Sequence, residues 1–433
     1  MDILTSNDQV GEYPASYYAA TARGPDPFEP AAGTLTSDVC IVGAGFTGLS
    51  AALHLAKAGY DVILLDAHRV GFGASGRNGG QVGTGQRVDQ CALETMVGHE
   101  RAQDLWRLSL QSVQLVRDLI AAHQMDCGFA DGILHADHRA RFVPESHAYA
   151  EKLQRDYGYD RIRPIGLEEM RSLVGSDAYH GGTLDMGGGH IHPMRYAFGL
   201  AKAAAASGVR IFERSRVISV TESSPAKITT DKAEITASHV ILACNGYLGH
   251  LHEDIAARVM PINNFIIATE PLDEGRARVL IRDNHAVADS KFVINYFRLS
   301  EDRRLLFGGG ESYGYRFPRD IAGLVRKPML EIYPQLQDIR IDYAWGGTLG
   351  ITMNRMPHFA RLQGNILSAS GYSGHGVAMA TLGGKLAADA IAGQAEKFDL
   401  MANVPTGRFP GGVALRWPLL VLAMVWFSLR DRL

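Results

Sequence analysis

Only four cysteines (Cys40, Cys91, Cys127, Cys244) occur in 433 residues, with no CxxC pair and no metal-ligand spacing. That scarcity excludes a disulfide scaffold and suits a reducing, cytoplasmic compartment. Excess charge of either sign is also missing, since 43 Lys plus Arg against 46 Asp plus Glu leave −3. A surface built to neutralise phosphate backbones is therefore not expected, and nucleic acid is not a predicted partner. The opening MDILTSNDQVGEYP lacks a basic n-region and an apolar h-region, which argues against secretion. Near the other end, residues 419–427 (LLVLAMVWF) are wholly apolar. They fall short of the roughly 20 residues that a spanning helix needs. Pro418 as a helix start and Arg430 near the end suit a helix docked on the protein body. Peripheral membrane contact through 417–427, helped by Arg416, Arg430 and Arg432, is the less favoured alternative.

What the chain does have is glycine, 48 in all, and its clusters fall at the ends of apolar strands. Residues 38–42 (DVCIV) read as a buried strand, 46–58 as a helix with Leu49, Leu53 and Ala56 on one face, and 61–65 (DVILL) as a second strand. Together they make a βαβ unit. A long amphipathic helix is predicted over 94–123 and another over 193–207, ended by Gly208 and followed by a strand at 209–213. Residues 217–222 and 227–237 read as a small meander, and 239–243 (HVILA) as a further buried strand. Segments such as FIIATE and KFVINYFRL within 260–345 alternate like an antiparallel sheet, after which 365–370 and 377–392 return to strand–Gly–helix order.

The fold class predicted is α/β with two domains: a Rossmann-like, nucleotide-binding domain and a mainly antiparallel β-sheet substrate domain. The expected boundaries are an irregular N-terminal arm at 1–36, a discontinuous nucleotide-binding domain at 37–95, 185–258 and 346–400, a substrate domain at 96–184 and 259–345, and a tail at 401–433.

Gly43, Ala44, Gly45, Phe46, Thr47 and Gly48 fit GxGxxG. The first glycine permits the tight turn, the second a close backbone approach to pyrophosphate, and the third close helix–strand packing. Behind them the helix N-terminus offers unpaired N–H groups to an anion. Asp66, with Ala67 after it, closes the second strand 18 residues beyond Gly48, where a carboxylate accepts bonds from ribose hydroxyls. A second loop follows: Gly73, Ala74, Ser75, Gly76, Arg77, Asn78, Gly79, Gly80, Gln81. A simple NAD domain would run from strand to helix here, so this loop suits a longer ligand. The third loop, Gly371–Tyr372–Ser373–Gly374–His375–Gly376 with Val377, again opens a helix; that helix end suits the negative edge of a reduced flavin. Three such loops spread over the chain favour FAD over NAD.

VCIVGAGFTGLSAALHLAKAGYDVILLDA, GFGASGRNGGQ and GYSGHGVAMATLGGKLAADAIAG resemble the D-amino-acid-oxidase-like FAD-dependent oxidoreductases. RLLFGGGESYG at 304–314 and the tail RFPGGVALRWPLL…SLRDRL resemble the bacterial γ-glutamylputrescine oxidase branch of that family. The resemblance implies that the nucleotide-binding domain is an FAD-binding domain of the glutathione-reductase type, with Gly43, Gly45 and Gly48 at the pyrophosphate and Asp66 at the adenosine ribose, where many relatives carry Glu. It implies Ser75, Arg77, Asn78, Gly80 and Gln81 near pyrophosphate and flavin, the Val217 backbone at the adenine, and Gly374, His375 and Gly376 at the pyrimidine edge. Gly246, after the strand at 239–243, joins the expected cofactor set. Some relatives attach flavin through a His in the second loop or a late Cys. Residues 73–81 contain no His and no Cys follows Cys244, so non-covalent FAD is expected.

The chemistry implied is two-electron oxidation of a C–N bond: a neutral amine gives hydride to the flavin, the imine hydrolyses to aldehyde and ammonia, and oxygen becomes hydrogen peroxide. Amine substrate and molecular oxygen are thus the expected partners. Tyr296, Phe297, Tyr313, Tyr315 and Trp345 are candidates for the pocket wall, against the plain alternative of sheet core. Arg298 or Arg355 is a candidate carboxylate clamp, against a surface salt bridge. Lys291 is a candidate cation beside the reduced ring, against an exposed strand lysine. His375 is a candidate active-site residue whose backbone N–H matters as much as its ring. His190 and His192 share a strand face but lack further ligands, so no metal is expected. The leading reading is an amine oxidase acting on γ-glutamylputrescine or a similar γ-glutamylated polyamine. An oxidase or dehydrogenase of a small amino acid (sarcosine or a D-amino acid) and a non-catalytic flavoprotein are the alternatives. Oligomeric state is not legible.

Overall fold

The computed structural model describes residues 2–312, 314–363 and 365–411. Tyr313 and the apolar run at 419–427, with the docking expected of it, lie outside the described residues.

One sheet is built on parallel strands in the order Ile366–Ser370, Ala233–Leu242, Gly33–Val42, Val62–Leu65 and Arg210–Phe212. Val39 to Val42 and Val62 to Leu65 are all buried, as near-continuous apolar runs require when a parallel sheet is covered on both faces. The outer strand His358–Arg361 runs antiparallel to Ile366–Ser370, and the hairpin of Val217–Val220 with Ala226–Thr230 is added to Ala233–Leu242. Helices Phe46–Lys57, Pro193–Ala206 and Gly376–Ile391 pack on this sheet and on one another. The strand at 209–213 was expected in this sheet, and Arg210–Phe212 pairs there with Val62–Leu65.

The second sheet runs Ile341–Ile351, Met260–Thr269, Leu305–Ser312, Tyr296–Leu299, Ala286–Asp289, Ala130–Ala136, Gly182–His190 and Gln81–Val82, with Ile162–Ile165 also on Gly182–His190. All its pairs are antiparallel except Ala286–Asp289 with Ala130–Ala136. Period-two alternation gives this sheet two unlike faces. Phe297, Phe307, Leu134 and Val287 lie on one, under helix Ile321–Ile332, where Phe297 and Phe307 stack at 5.3 Å. Tyr296, Arg298 and His135 alternate with them and face the first sheet's glycine loops.

Four expectations need correction. The helix read over 94–123 is two helices, Gln90–Val97 and His99–Ala122, because Gly98 takes φ +86° between them and Asp89 caps the first. His99–Ala122 packs against Gly376–Ile391 and also reaches the second sheet, where Arg117 pairs with Asp131 (2.5 Å), so it bridges the two layers and does not belong to the substrate domain alone. Gln81–Val82, residues 185–190 and residues 346–351 belong to the second sheet although the expected boundaries put them in the first domain. Finally, the segment 1–36 is not an irregular arm throughout. Residues 33–36 extend the first strand, and helix Tyr17–Thr21, capped by the Ser16 hydroxyl, inserts between the sheets. There Tyr18 is fully buried, its ring 5.2 Å from that of Trp345 and 4.9 Å from that of His192.

Candidate active site

The first turn owes its shape to its glycines. Gly43 has φ +106°, and a Cβ at Gly48 would stand 1.8 Å from the Gly43 carbonyl oxygen. Ala44 N–H donates to Asp66 Oδ2 (2.8 Å) and His68 N–H to Asp66 Oδ1 (2.8 Å), so the acid at the end of the second strand is aimed by both neighbouring turns. Burial pushes the Asp66 carboxyl up to about 6 against these two bonds. Phe46 N–H donates to Ser75 Oγ (2.9 Å), which joins the first and second loops.

The second loop is folded by Asn78, whose Nδ2 donates to the Ala74 and Ser75 carbonyls while its Oδ1 accepts from Gly80 N–H. Gly79 lies against the Tyr296 ring and Gly80, at φ +79°, against the Ile191 carbonyl; neither position has room for a side chain. Gln81 Nε2 donates to the Val287 carbonyl (3.0 Å), tying the loop to the second sheet. Gly73, Ala74 and Gly76 complete the turn, with Gly73 against the Tyr247 ring.

The third loop meets the first two. Thr47 Oγ1 and the Tyr372 hydroxyl are hydrogen-bonded at 2.7 Å, and Asn245 Oδ1 accepts from Gly371 N–H at 2.9 Å. Gly246 packs on the Leu349 carbonyl and Gly376 on Tyr372, while Val377 is buried in the first helical turn. His375 Nε2–H donates to the Gly85 carbonyl (3.0 Å), and its ring fills the space where Gly83 would carry a Cβ. Val217 pairs with Thr230 in the added hairpin, and Ala67 sits half-buried between Asp66 and His68.

Helices Phe46–Lys57 and Gly376–Ile391 both begin without a side-chain cap from their own N-cap residue. Apart from Phe46 N–H, which Ser75 Oγ takes, the N–H groups of their first turns are thus available to an anion or a ring carbonyl. His375 and Arg87 are half-buried and His135 is exposed, and the charges of Arg87 and His135 act on His375. These three residues therefore line a cleft between the third loop and the second sheet, while Asp66, also half-buried, stands at the end of the second strand. Enclosure lowers the His375 pKa to about 4, with Arg87 adding to it, and lowers that of His135 as well; both imidazoles are neutral at pH 7.

Several sequence candidates are placed elsewhere. Arg298 is buried and, among the described residues, has no carboxylate partner. Nε donates to the Gly79 carbonyl (2.8 Å), Nη1 to the Leu299 carbonyl (3.2 Å), and Nη2 to the Ile191 carbonyl (2.9 Å) and the Tyr18 hydroxyl (3.2 Å). It is therefore neither a free clamp nor a surface salt bridge. Lys291 pairs with Glu331 Oε2 (3.5 Å) on helix Ile321–Ile332, on the sheet face turned away from the cleft. Phe297 lies on that same far face. Trp345 is buried behind the second loop, its indole N–H donating to the Arg77 carbonyl (3.1 Å). Tyr296 stays at the cleft, its hydroxyl donating to Asn264 Oδ1. Arg77 is turned to Asp8 of the N-terminal segment (3.1 Å), the Phe72 carbonyl (2.7 Å) and the Phe72 ring. The Tyr315 carbonyl accepts from Asn7 Nδ2 (2.8 Å). His190 Nε2 bonds the Asn284 carbonyl and His192 Nε2 the Thr21 hydroxyl, so their ring nitrogens face separate partners.

Sequence reading missed Arg87, His135, Asn245 and Glu213. Glu213 is buried and accepts from Phe28 N–H, Val70 N–H and Arg69, which pins the turn after Asp66. None of the four stands in a recognisable motif; Asn245, directly after an apolar strand and before Gly246, had the clearest signal.

Glycine turns at uncapped helix ends, an acid closing the second strand, and a second sheet facing them across a cleft define a two-domain dinucleotide-binding oxidoreductase of the flavin type. The chain belongs to the FAD dependent oxidoreductase (DAO) family, whose model matches residues 38–390. It is 42% identical over 423 residues to the gamma-glutamylputrescine oxidoreductase of Escherichia coli K12, covering 98% of this chain and 99% of that one. A probable oxidoreductase, OrdL, of Rhizobium meliloti is also 42% identical, over 96% and 97% of the two chains. Among solved structures, the fold is similar to glycine oxidase from Geobacillus kaustophilus, with a TM-score of 0.72 and 20% identity over 83% of this chain and 95% of that one. The protein is an FAD-dependent oxidoreductase.

Proposed function

We propose that the protein oxidises the primary amine of γ-glutamylputrescine, or of a similar γ-glutamylated polyamine. Amine, water and oxygen would give aldehyde, ammonia and hydrogen peroxide. The observation that carries this reading is the 42% likeness to the Escherichia coli γ-glutamylputrescine oxidoreductase across nearly the whole of both chains. The engagement of Arg298 supports it, since that residue is withdrawn from clamping a small amino acid.

Bound non-covalently, FAD supplies a two-electron acceptor. The uncapped end of Phe46–Lys57 would hold its pyrophosphate and Asp66 a ribose hydroxyl, with the loop folded by Asn78 against the ring and the His375–Gly376 turn at the pyrimidine edge. Tyr296, fixed by Asn264, would limit water on the sheet side and orient the reacting C–H. A cleft with Arg87 and Arg355 charged and both histidines neutral favours the neutral amine, the form able to give up hydride. The four free thiols fit a cytoplasmic setting.

Oxygen consumption by the FAD-loaded protein tests the reading, with γ-glutamylputrescine compared against putrescine, sarcosine, glycine and D-alanine. The γ-glutamyl amine should give the highest kcat/KM. Preference for an amino acid would replace this reading with that of an amino-acid oxidase. A flavin that no amine bleaches anaerobically would remove catalysis altogether.

A further inference from the structure

Arg87 follows the short strand Gln81–Val82 on a segment fixed at both ends. Gln86 Nε2 donates to the Leu105 carbonyl (2.9 Å), Gln90 Nε2 to the Ala102 carbonyl (3.1 Å), and Asp89 caps the next helix through Ala92 N–H (2.9 Å). The Gly85 carbonyl is held by His375. The backbone around Arg87 is thus anchored on two sides, while its guanidinium makes no hydrogen bond or ion pair among the described residues.

Its surroundings come from three different elements. The Arg87 charge acts on His375 of the third loop and on His135 of strand Ala130–Ala136, and the charge of Arg355, in the turn after Ile341–Ile351, acts on Arg87. Burial and the Arg355 charge both lower the Arg87 pKa, and among the described residues no carboxylate offsets these two effects on Arg87. The acids in the neighbourhood have other partners. Asp185 accepts from Thr84, from the Tyr159 hydroxyl (2.5 Å) and from Gly187 N–H (2.8 Å), and Asp137 accepts from Ser146 Oγ (2.5 Å). An enclosed guanidinium without a counter-ion is costly, and its planar fork matches a carboxylate.

We propose that Arg87 anchors the α-carboxylate of the substrate's glutamyl head, the end remote from the amine that reacts. This rests on the γ-glutamyl amine reading above, and it assigns the selectivity for a carboxylated head to a residue outside the flavin loops. A merely structural Arg87 would pack by its aliphatic stem and be indifferent to the ligand's charge.

The test uses the FAD-loaded protein and γ-glutamylethylamide, which carries the head but no terminal amine, with binding measured by calorimetry. Its counterpart N-(4-aminobutanoyl)ethylamide lacks only the carboxylate. Arg87→Met should weaken binding of the first roughly 10- to 100-fold and leave the second unchanged, and Arg87→Lys should fall between. Retained flavin absorbance and unfolding temperature show that the variants fold. Equal weakening for both ligands, no weakening, or no binding of γ-glutamylethylamide by the wild type would overturn the anchor. If the wild type binds the head in an Arg87-dependent way but oxidises no γ-glutamyl amine, the anchor stands and the proposed reaction falls.

Discussion

Arg298→Met removes a buried cation that clamps three parts of the chain together. The four hydrogen bonds, to Gly79, Ile191, Leu299 and Tyr18, span 2.8–3.2 Å. Without them the Gly79 and Ile191 carbonyls are left buried and unpaired, at about 1–3 kcal/mol each. Relief from holding an unpaired charge out of water offsets part of this. A net loss of about 3–4 kcal/mol follows. Unfolding entropy of about 2.1 cal/mol/K per residue gives a chain of 433 residues about 0.9 kcal/mol/K. The unfolding temperature should therefore fall by about 4 °C in scanning calorimetry of the FAD-loaded protein. Because Gly79 belongs to the loop proposed to face the cofactor, FAD should also dissociate more readily. The ratio of kcat/KM for carboxylated over decarboxylated amines should not change. A variant that unfolds at the wild-type temperature but loses that ratio would refute the reasoning and restore Arg298 as a substrate clamp.

Other substitutions probe the cofactor site. Gly48→Ala places a methyl 1.8 Å from the Gly43 oxygen, so the helix must shift. A cost of about 3 kcal/mol is expected, with loss of bound FAD on gel filtration; retention of flavin would count against the tight turn. In the proposed site, ribose hydroxyls would donate to the ionised form of Asp66, whose folded pKa is about 6. FAD affinity should therefore weaken as pH falls through about 6, and Asp66→Asn should flatten that dependence in fluorescence titrations. Without FAD the sign reverses: the raised carboxyl binds its proton more tightly in the folded state, so its contribution to stability declines from about pH 4 to 6 and is level above. His375→Ala should keep its FAD and lose a few-fold in kcat, with no inflection attributable to this imidazole above pH 5. Complete loss of turnover with flavin intact would give the ring a catalytic role.

The nucleotide half was legible because its signals are local. Apolar runs too long for one exposed face, and glycines where the chain must turn sharply, placed Phe46–Lys57 and Val62–Leu65 to within a residue, while the first strand begins at Gly33, five residues before its apolar run. The cleft was less legible because its signals are not local. Tyr296 and Phe297 are adjacent aromatics on one strand, yet register alone sends the first to the cleft and the second under a helix. Lys291 and Arg298 looked alike as strand cations; only long-range neighbours separate a surface pair from a buried clamp. Periodicity passed through Gly98 unbroken, since a single positive φ leaves the apolar spacing on either side intact. Arg87 carried no motif, and its interest lies in partners it does not have.

Helix Tyr17–Thr21 bears on how the protein comes to be assembled. Tyr18 rests against Trp345 and Arg298, residues about 280 to 330 positions further along, and Tyr17 donates to Asp302 (2.7 Å). A ribosome delivers this segment well before Arg298, Asp302 and Trp345, so its resting place does not exist until those later residues have emerged. A segment made early is thus late to settle, and the two halves close around it as a keystone is seated after the arch is raised.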